Sequence, residues 1–170
     1  MLEKRIFSMA SAVALSLSTV LAPVQAEDAM LVPIKRMTLE TALSIAKASI
    51  DACRKEGVQI AVTVLDRGGH PQVVLRDVLA MDLALSVSHQ KAYTAMSFNT
   101  ATSALQGRFK GPGSIAGLEG VLVAAGGVPV QAGGQIIGGV GVSGAPSGKT
   151  DEKCAKAGLA AVQDDLDMAD

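Results

Sequence analysis

Apolar residues recur along this chain with helical spacing in three segments, and short β-branched runs separate those segments. The first helix is predicted to begin after Thr38, which can cap it, and to end at Gly57. A second helix is predicted over 82–99, and a third is predicted to be capped by Thr150. The apolar positions of the first helix are three or four residues apart, at Leu39, Leu43, Ala46, Ile50 and Cys53.

The first group of β-branched residues predicts a hairpin. Strands over 58–65 and 71–76 flank the turn 66–69, in which the Asp66 side chain is expected to bond the following backbone. A second hairpin is predicted farther along the chain, around Gly133-Gly134, because paired glycines favour a tight turn.

One further strand, over 121–125, is predicted to lead into that second hairpin, whose own strands are predicted over 128–130 and 135–142. The order is then helix, two strands, helix, three strands, helix. Strands joined by hairpins are antiparallel, so the pattern predicts an α+β fold with five antiparallel strands.

The second hairpin is unusually rich in glycine, at positions 138, 139 and 141. Glycine inside a strand weakens it and marks either a bulge or the close approach of another backbone or a ligand. Two interpretations follow: a bulged hairpin beneath a helix, or a bare surface against which a flat ligand or another subunit lies. Asp and Glu are absent between Gly120 and Thr150, and such an uncharged edge predicts a homo-oligomer.

Residues 1–26 have the pattern of a secretory signal peptide. Lys4 and Arg5 precede an apolar run, and cleavage is expected after Ala26. The mature chain, 27–170, then forms a single domain and no membrane span, and it is predicted to be periplasmic or secreted.

The composition argues against a nucleic-acid partner and predicts a disulfide. The formal net charge is −1 and aromatic residues make up 2% of the chain, so a nucleic-acid partner is not expected. The chain has two cysteines, and an even number in an exported protein predicts a disulfide, here Cys53 with Cys154. The two predicted helices that carry them are expected to pack side by side.

Lys91 is conspicuous in the second predicted helix because it points away from the polar face. Three explanations remain open from the sequence. Its ammonium group extends to solvent along the helix edge, meets the carboxylate of a bound ligand, or forms a buried ion pair.

Four sequence blocks, taken in order, resemble one family. They are VTVLDRGG at 62–69 with Arg76, SHQKAYTA at 88–95, the glycine-rich block 126–144, and DEKCAKAG at 151–158. Their order and spacing are similar to those of the GlcG/HbpS-type haem-binding proteins, which are related to the C-terminal domain of PduO-type corrinoid adenosyltransferases. The resemblance covers essentially all of 27–170. It implies a profilin-like sandwich with a five-stranded antiparallel sheet, a homo-oligomer from dimer to octamer, and haem binding in some members.

Four side chains are candidates for holding haem. Neutral imidazole ligates haem iron, so His70 beside the first turn and His89 on the second helix are the candidate metal ligands. Arg76 and Lys91 are the candidate partners of the haem propionates, because charged donors bind carboxylates strongly. The ring itself is expected to lie against the glycines of 138–141. No C-x-x-C-H occurs, which excludes covalent c-type attachment.

A second function is also open. Association of the family with glycolate metabolism suggests an enzyme or accessory subunit that acts on a small organic acid such as a 2-hydroxy acid. The residues themselves present no catalytic constellation: Ser143, for example, lacks the nucleophile-elbow pattern. The sequence therefore favours an exported haem- or tetrapyrrole-binding protein for storage, scavenging or sensing.

Overall fold

The computed structural model describes residues 30–109, 111 and 114–169, and residues Ile34–Asp170 form one compact unit. The predicted signal peptide, 1–26, lies outside the described residues. Among the helices of the described part, none is long and apolar enough to cross a membrane.

Two hairpins form one antiparallel sheet of four strands, in the order β2-β1-β4-β3. Both hairpins are confirmed. Gly133 and Gly134 have φ of +54° and +78°, the left-handed conformation that a tight two-residue hairpin turn requires. The strands are β1 (Ala61–Asp66), β2 (Pro71–Arg76), β3 (Gly127–Ala132) and β4 (Gln135–Ser143).

The predicted strand over 121–125 is not part of this sheet, so the expectation of five strands is corrected to four in the described residues. The Leu122 N–H donates to the Thr94 hydroxyl on a helix, at 2.8 Å, instead of to a neighbouring strand. Only the next residue, Gly126, accepts a backbone hydrogen bond from β4, from Val142 N–H. The α+β class itself is confirmed.

Two of the helices, α1 and α4, begin at a capping side chain. Thr38 accepts a hydrogen bond from the Thr41 N–H and caps α1, as predicted. Ser147, not Thr150, caps α4, because Thr150 N–H donates to the Ser147 hydroxyl. The helices are α1 (Leu39–Lys55), α2 (Leu83–Ser97), α3 (Thr102–Leu105), α4 (Gly148–Ala160) and α5 (Gln163–Met168), with a 3₁₀ turn at Ile115–Gly117.

The sheet separates two helical layers. Helices α1 and α4 pack on the face that carries the main core valines of β1 and β4. The buried side of α1 differs slightly from the predicted row of apolar residues that begins at Leu39. Leu39 is 56% exposed, whereas Ile45, which is not in that row, is fully buried. The core valines on that face are Val62, Val64, Val140 and Val142.

Helix α2 lies on the opposite face, directly against the glycines of β4. A Cβ at Gly141 would overlap the Ser88 carbonyl oxygen and stand 2.5 Å from the Ala92 nitrogen. A Cβ at Gly139 would stand 2.6 Å from the Ala92 carbonyl oxygen. The glycines therefore admit a helix backbone, and the hairpin has a bulge between Val130 and Gln131. The bulged hairpin beneath a helix is confirmed, and the bare surface for a flat ring is wrong.

Replacing Gly141 with alanine is expected to lower the free energy of unfolding by about 2–3 kcal/mol, because the rigid backbone of α2 must move to admit the methyl group. Chemical denaturation measures the change. Gly117→Ala is the matched control, since a Cβ at Gly117 meets nothing within 4 Å. Equal stability of the two variants would contradict the close packing of α2 on β4.

The predicted disulfide is present. Cys53 on α1 and Cys154 on α4 are bonded, with their Cα atoms 5.5 Å apart and 101 residues between them in sequence. Both side chains are buried. The helices approach closely near Gly158, where a Cβ would stand 2.6 Å from the Ile45 carbonyl oxygen.

Candidate functional site

Lys91 is buried, and its ammonium group lies inside the protein. Its Nζ is 2.7 Å from Oδ2 of Asp151 and also donates to the Val142 carbonyl oxygen at 3.1 Å. Both side chains of the pair are about 95% buried. Of the three explanations for Lys91, the structure contains the buried ion pair.

The surroundings of Asp151 explain how this pair is held. Its Oδ1 accepts a hydrogen bond from the Ala145 N–H at 3.0 Å, so both carboxylate oxygens have donors. Burial raises the pKa of the Asp151 carboxyl, and the hydrogen bonds from Lys91 and Ala145 act in the opposite direction. The pair thus joins α2, β4 and α4, and within the described residues the Lys91 ammonium group is bonded to Asp151 and Val142.

Sequence reasoning missed Asp151 as the partner of Lys91. Asp151 follows the cap of α4, where an acidic residue is explained by the helix dipole alone. A usable signal was present, since a lysine on an apolar flank needs a buried acid. Lys91 and Asp151 are 60 residues apart in the sequence, so the pattern around Lys91 did not identify Asp151 as the partner.

His70 lies at the exposed end of the first hairpin, and its side chain is 80% exposed. Asp66 builds this turn, because its Oδ1 accepts from the N–H groups of Gly68 and His70 at 2.8 and 2.9 Å. These bonds lower the pKa of Asp66, the His70 N–H bond most. The predicted role of Asp66 in the turn is confirmed.

His89 is half-buried on α2, and its neighbours on the helix indicate which strand it lies beside. Its neighbour Ser88 is 2.8 Å from Thr63 of β1, hydroxyl to hydroxyl, and Thr63 pairs with Val74 of β2. His89 lies on the flank of α2 that also carries Met96. That flank faces the first hairpin, because Met96 Sδ is 3.9 Å from Arg67 in its turn.

Arg76 ends β2 on the same side of the sheet as Val74, since alternate strand residues share a face. Its Nη1 donates to the Ala80 carbonyl oxygen and lies 3.3 Å from Oδ1 of Asp82. About a third of the Arg76 side chain remains exposed. Arg76 also borders a separate groove of about 430 Å³ between α1 and β2, on the other face of the sheet.

His89 and Arg76 therefore border one surface, which we call the shelf: Val74, Arg76, Leu85 and His89. Helix α2 lies mainly over β4, β1 and β3, which leaves this side of β2 largely uncovered by the described residues. Val74 and Leu85 are 46% and 37% exposed and give the shelf an apolar floor.

His70 does not share the shelf. It precedes β2 and Arg76 ends it, so their Cα atoms are about 20 Å apart at about 3.3 Å per strand residue. Of the four candidate haem-binding residues, two, His89 and Arg76, thus lie on the side of the sheet that carries the shelf. The structure places His70 at the other end of the strand and Lys91 inside the protein.

An exposed apolar segment adjoins the shelf, and sequence reasoning missed it. Val78 and Leu79 are 80% and 79% exposed, and Met81 and Leu83 are 63% and 67% exposed. The apolar run before the second helix was the available signal. By contrast, the glycine-rich stretch that predicted an oligomer edge lies largely beneath α2 and beside α4 and α5.

Comparison with known proteins supplies the family context. A family model described as "Haem degrading protein HbpS-like" matches residues 37–160. A Citrobacter freundii protein, an uncharacterized 15.0 kDa protein encoded between dhaT and dhaS, is 30% identical over 116 residues, which are 65% of this chain and 82% of that protein.

Solved structures agree with that match. A double mutant of Streptomyces reticuli HbpS is 40% identical with a TM-score of 0.74, over 82% of this chain and 95% of that one. Klebsiella pneumoniae ORFY is 27% identical with a TM-score of 0.72, over 78% and 94%. The PduOC:heme complex is 27% identical with a TM-score of 0.67, over 75% and 95%.

Proposed function

We propose that this chain, which belongs to the HbpS-like family, binds haem or a related tetrapyrrole on the shelf between α2 and β2. The observation that carries the proposal is the Thr63–Ser88 hydrogen bond, from which we place the next residue, His89, beside Val74 of β2, two strand positions from Arg76. A structural relative solved as a haem complex supports the choice of ligand.

Each shelf residue has a chemical role in this proposal. The His89 imidazole ligates the iron, and the apolar side chains of Val74 and Leu85 contact the ring. The Arg76 guanidinium lies at the shelf edge, where it also contacts Asp82, and about a third of its side chain is exposed. In this proposal it donates to a haem propionate. Lys91 has no part, because its ammonium group is bonded to Asp151.

We expect a haemin titration of the purified protein to give a Soret band that saturates at one haem per chain. His89→Ala should change the iron spectrum, because an axial ligand is lost. Arg76→Ala should weaken binding roughly ten-fold, since a hydrogen bond to a charged group contributes about 1.5–3 kcal/mol.

His70→Ala is the matched control, because it removes the other histidine from the far end of β2. It should leave both the affinity and the spectrum unchanged. A spectrum that changes with His70→Ala and not with His89→Ala would overturn the proposed site. A wild-type protein that never saturates with haemin would overturn the function.

The biological setting is proposed on the same basis. Export, as the segment 1–26 predicts, fits a protein that stores, scavenges or senses haem outside the cytoplasm. The Cys53–Cys154 disulfide supports this setting, since such bonds persist in oxidising compartments.

A further inference from the structure

We infer that the groove between α1 and β2 binds a free amino acid with an apolar side chain. The groove lies on the face of the sheet opposite to the shelf, and its volume of about 430 Å³ is typical of a small-molecule site. This second site is separate from the proposed haem site and does not depend on it.

One flank of α1 presents charges of alternating sign to the groove. Lys47, Asp51 and Arg54 all border it, and their spacing of four and three residues places them on one side of the helix. The side chains of Asp51 and Arg54 are 63% and 57% exposed, and Lys47 is exposed as well. A base, an acid and a second base therefore follow one another along the rim.

Arg54 is held in place by Asp77, which follows β2. Its Nε and Nη2 both donate to the Asp77 carboxylate, whose side chain is only 6% exposed, so these two charges neutralise each other. The third nitrogen of Arg54, Nη1, is 3.6 Å from Oδ1 of Asp51, which is longer than a hydrogen bond. Asp51 therefore keeps an oxygen that can accept a hydrogen bond from a ligand.

The remaining charges around the groove match a zwitterion. At one end of the groove, Arg76 is 3.3 Å from the carboxylate of Asp82. Lys47 and Asp51 are then left as one base and one acid, about one helical turn apart. An amino acid carries one carboxylate and one ammonium group, to which Lys47 and Asp51 can each form a charge-assisted hydrogen bond. A ligand with a single charge would meet one attractive and one repulsive group here.

The apolar residues of the groove account for the side chain of the ligand. Ile50 of α1 is 5% exposed, and Leu75 of β2 is partly buried against the core. Both border the groove. An aliphatic or aromatic side chain placed against them leaves water, which is favourable, whereas a charged side chain gains nothing from this contact.

Leucine and two analogues that each lack one charge test the choice of ligand. In calorimetric titrations, the purified protein should saturate with one leucine per chain. The analogue 4-methylpentanoate lacks the ammonium group, and 3-methylbutan-1-amine lacks the carboxylate. Each should bind roughly ten-fold more weakly than leucine, because it loses a hydrogen bond between charged groups. Equal affinity for leucine and 4-methylpentanoate overturns the zwitterion, and a protein that saturates with none of leucine, methionine and phenylalanine overturns the site.

Asp51→Asn and Lys47→Ala test which residues bind the two charges. Asp51→Asn should abolish the preference for leucine over 4-methylpentanoate, and Lys47→Ala should abolish the preference over 3-methylbutan-1-amine. Lys55→Ala is the matched control, since Lys55 is an exposed lysine of the same helix that does not border the groove, and it should change neither preference. Both altered side chains are exposed, so thermal unfolding should show folded variants. Preferences that persist in folded Asp51→Asn and Lys47→Ala proteins overturn the groove as the site.

Haemin titrations distinguish this site from the shelf. Saturating leucine, and separately the Lys47→Ala substitution, should leave the haemin affinity and the Soret spectrum unchanged. Displacement of haemin by leucine overturns the separate site. A protein that binds leucine and never saturates with haemin overturns the haem function alone, and a protein that binds haemin and no apolar amino acid overturns this inference alone.

Discussion

Lys91→Ala is expected to lower the free energy of unfolding by about 3–5 kcal/mol, because it leaves the buried Asp151 carboxylate without its partner. The lost ammonium group is 2.7 Å from Asp151 and 3.1 Å from the Val142 carbonyl oxygen. Water cannot replace it easily, since both side chains are about 95% buried. Thermal unfolding should occur roughly 10 °C lower than in the wild type.

Removing both charges should recover most of that loss. In Lys91→Met with Asp151→Asn, the asparagine oxygen can still accept from the Ala145 N–H, and no charge stays buried. Replacing a buried ion pair by neutral groups is often neutral or stabilising, because the desolvation cost disappears. A double-mutant cycle over the two positions measures the coupling.

The pH dependence of that double variant has a definite sign. The folded pKa of Asp151 is raised, so its titration favours folding below the unfolded pKa, about 3.9, and this contribution is lost as the pH rises through the folded value. The double variant has no carboxyl group at position 151, so it does not lose this stability as the pH rises. Relative to the wild type, it should therefore gain stability as the pH rises above about 4.

The Lys91 experiment also decides between two roles for the residue. A ligand-binding lysine would give a stable Lys91→Ala protein that binds haemin about ten-fold more weakly. A structural lysine gives an unstable protein whose folded fraction keeps its haemin affinity. The first result would restore the propionate contact that the sequence left open.

The features that sequence reasoning placed correctly depend on local chemistry. The Asp66 turn and the Gly133-Gly134 turn follow from the conformations those residues prefer, and both hairpins form around them. The disulfide followed from compartment and helix placement. Each of these needed only near neighbours or a count of two cysteines.

The features that it missed depend on contacts between distant residues. The strand over 121–125 fails because Thr94, on another element, takes the Leu122 N–H. The glycines of β4 suit a ligand and a helix backbone equally well, and only the position of α2 decides between them. The shelf exists because α2 packs over β4, β1 and β3 and leaves β2 uncovered. The spacing of apolar residues in the sequence does not predict where a helix lies on a sheet.

Loss of the Cys53–Cys154 disulfide is expected to lower the free energy of unfolding by several kcal/mol. The bridge closes a loop of 101 residues, and the loop-entropy model gives about 4.7 kcal/mol for a loop of about 100 residues. Protein refolded after reduction should unfold at a lower urea concentration than oxidised protein. Its denaturant slope should be steeper, because an uncrosslinked unfolded chain exposes more surface.

The Cys53→Ala, Cys154→Ala double variant separates the crosslink from the packing of the two buried sulfur atoms. Reductant should lower the urea midpoint of the wild type and leave that of the double variant unchanged. If the variant is less stable than reduced wild type, the difference measures the cavity that the missing sulfur atoms leave. Protein recovered from an exported fraction should contain no alkylatable thiol. Two reactive thiols in that fraction, or an unchanged midpoint on reduction, would show that the bridge does not constrain the unfolded chain.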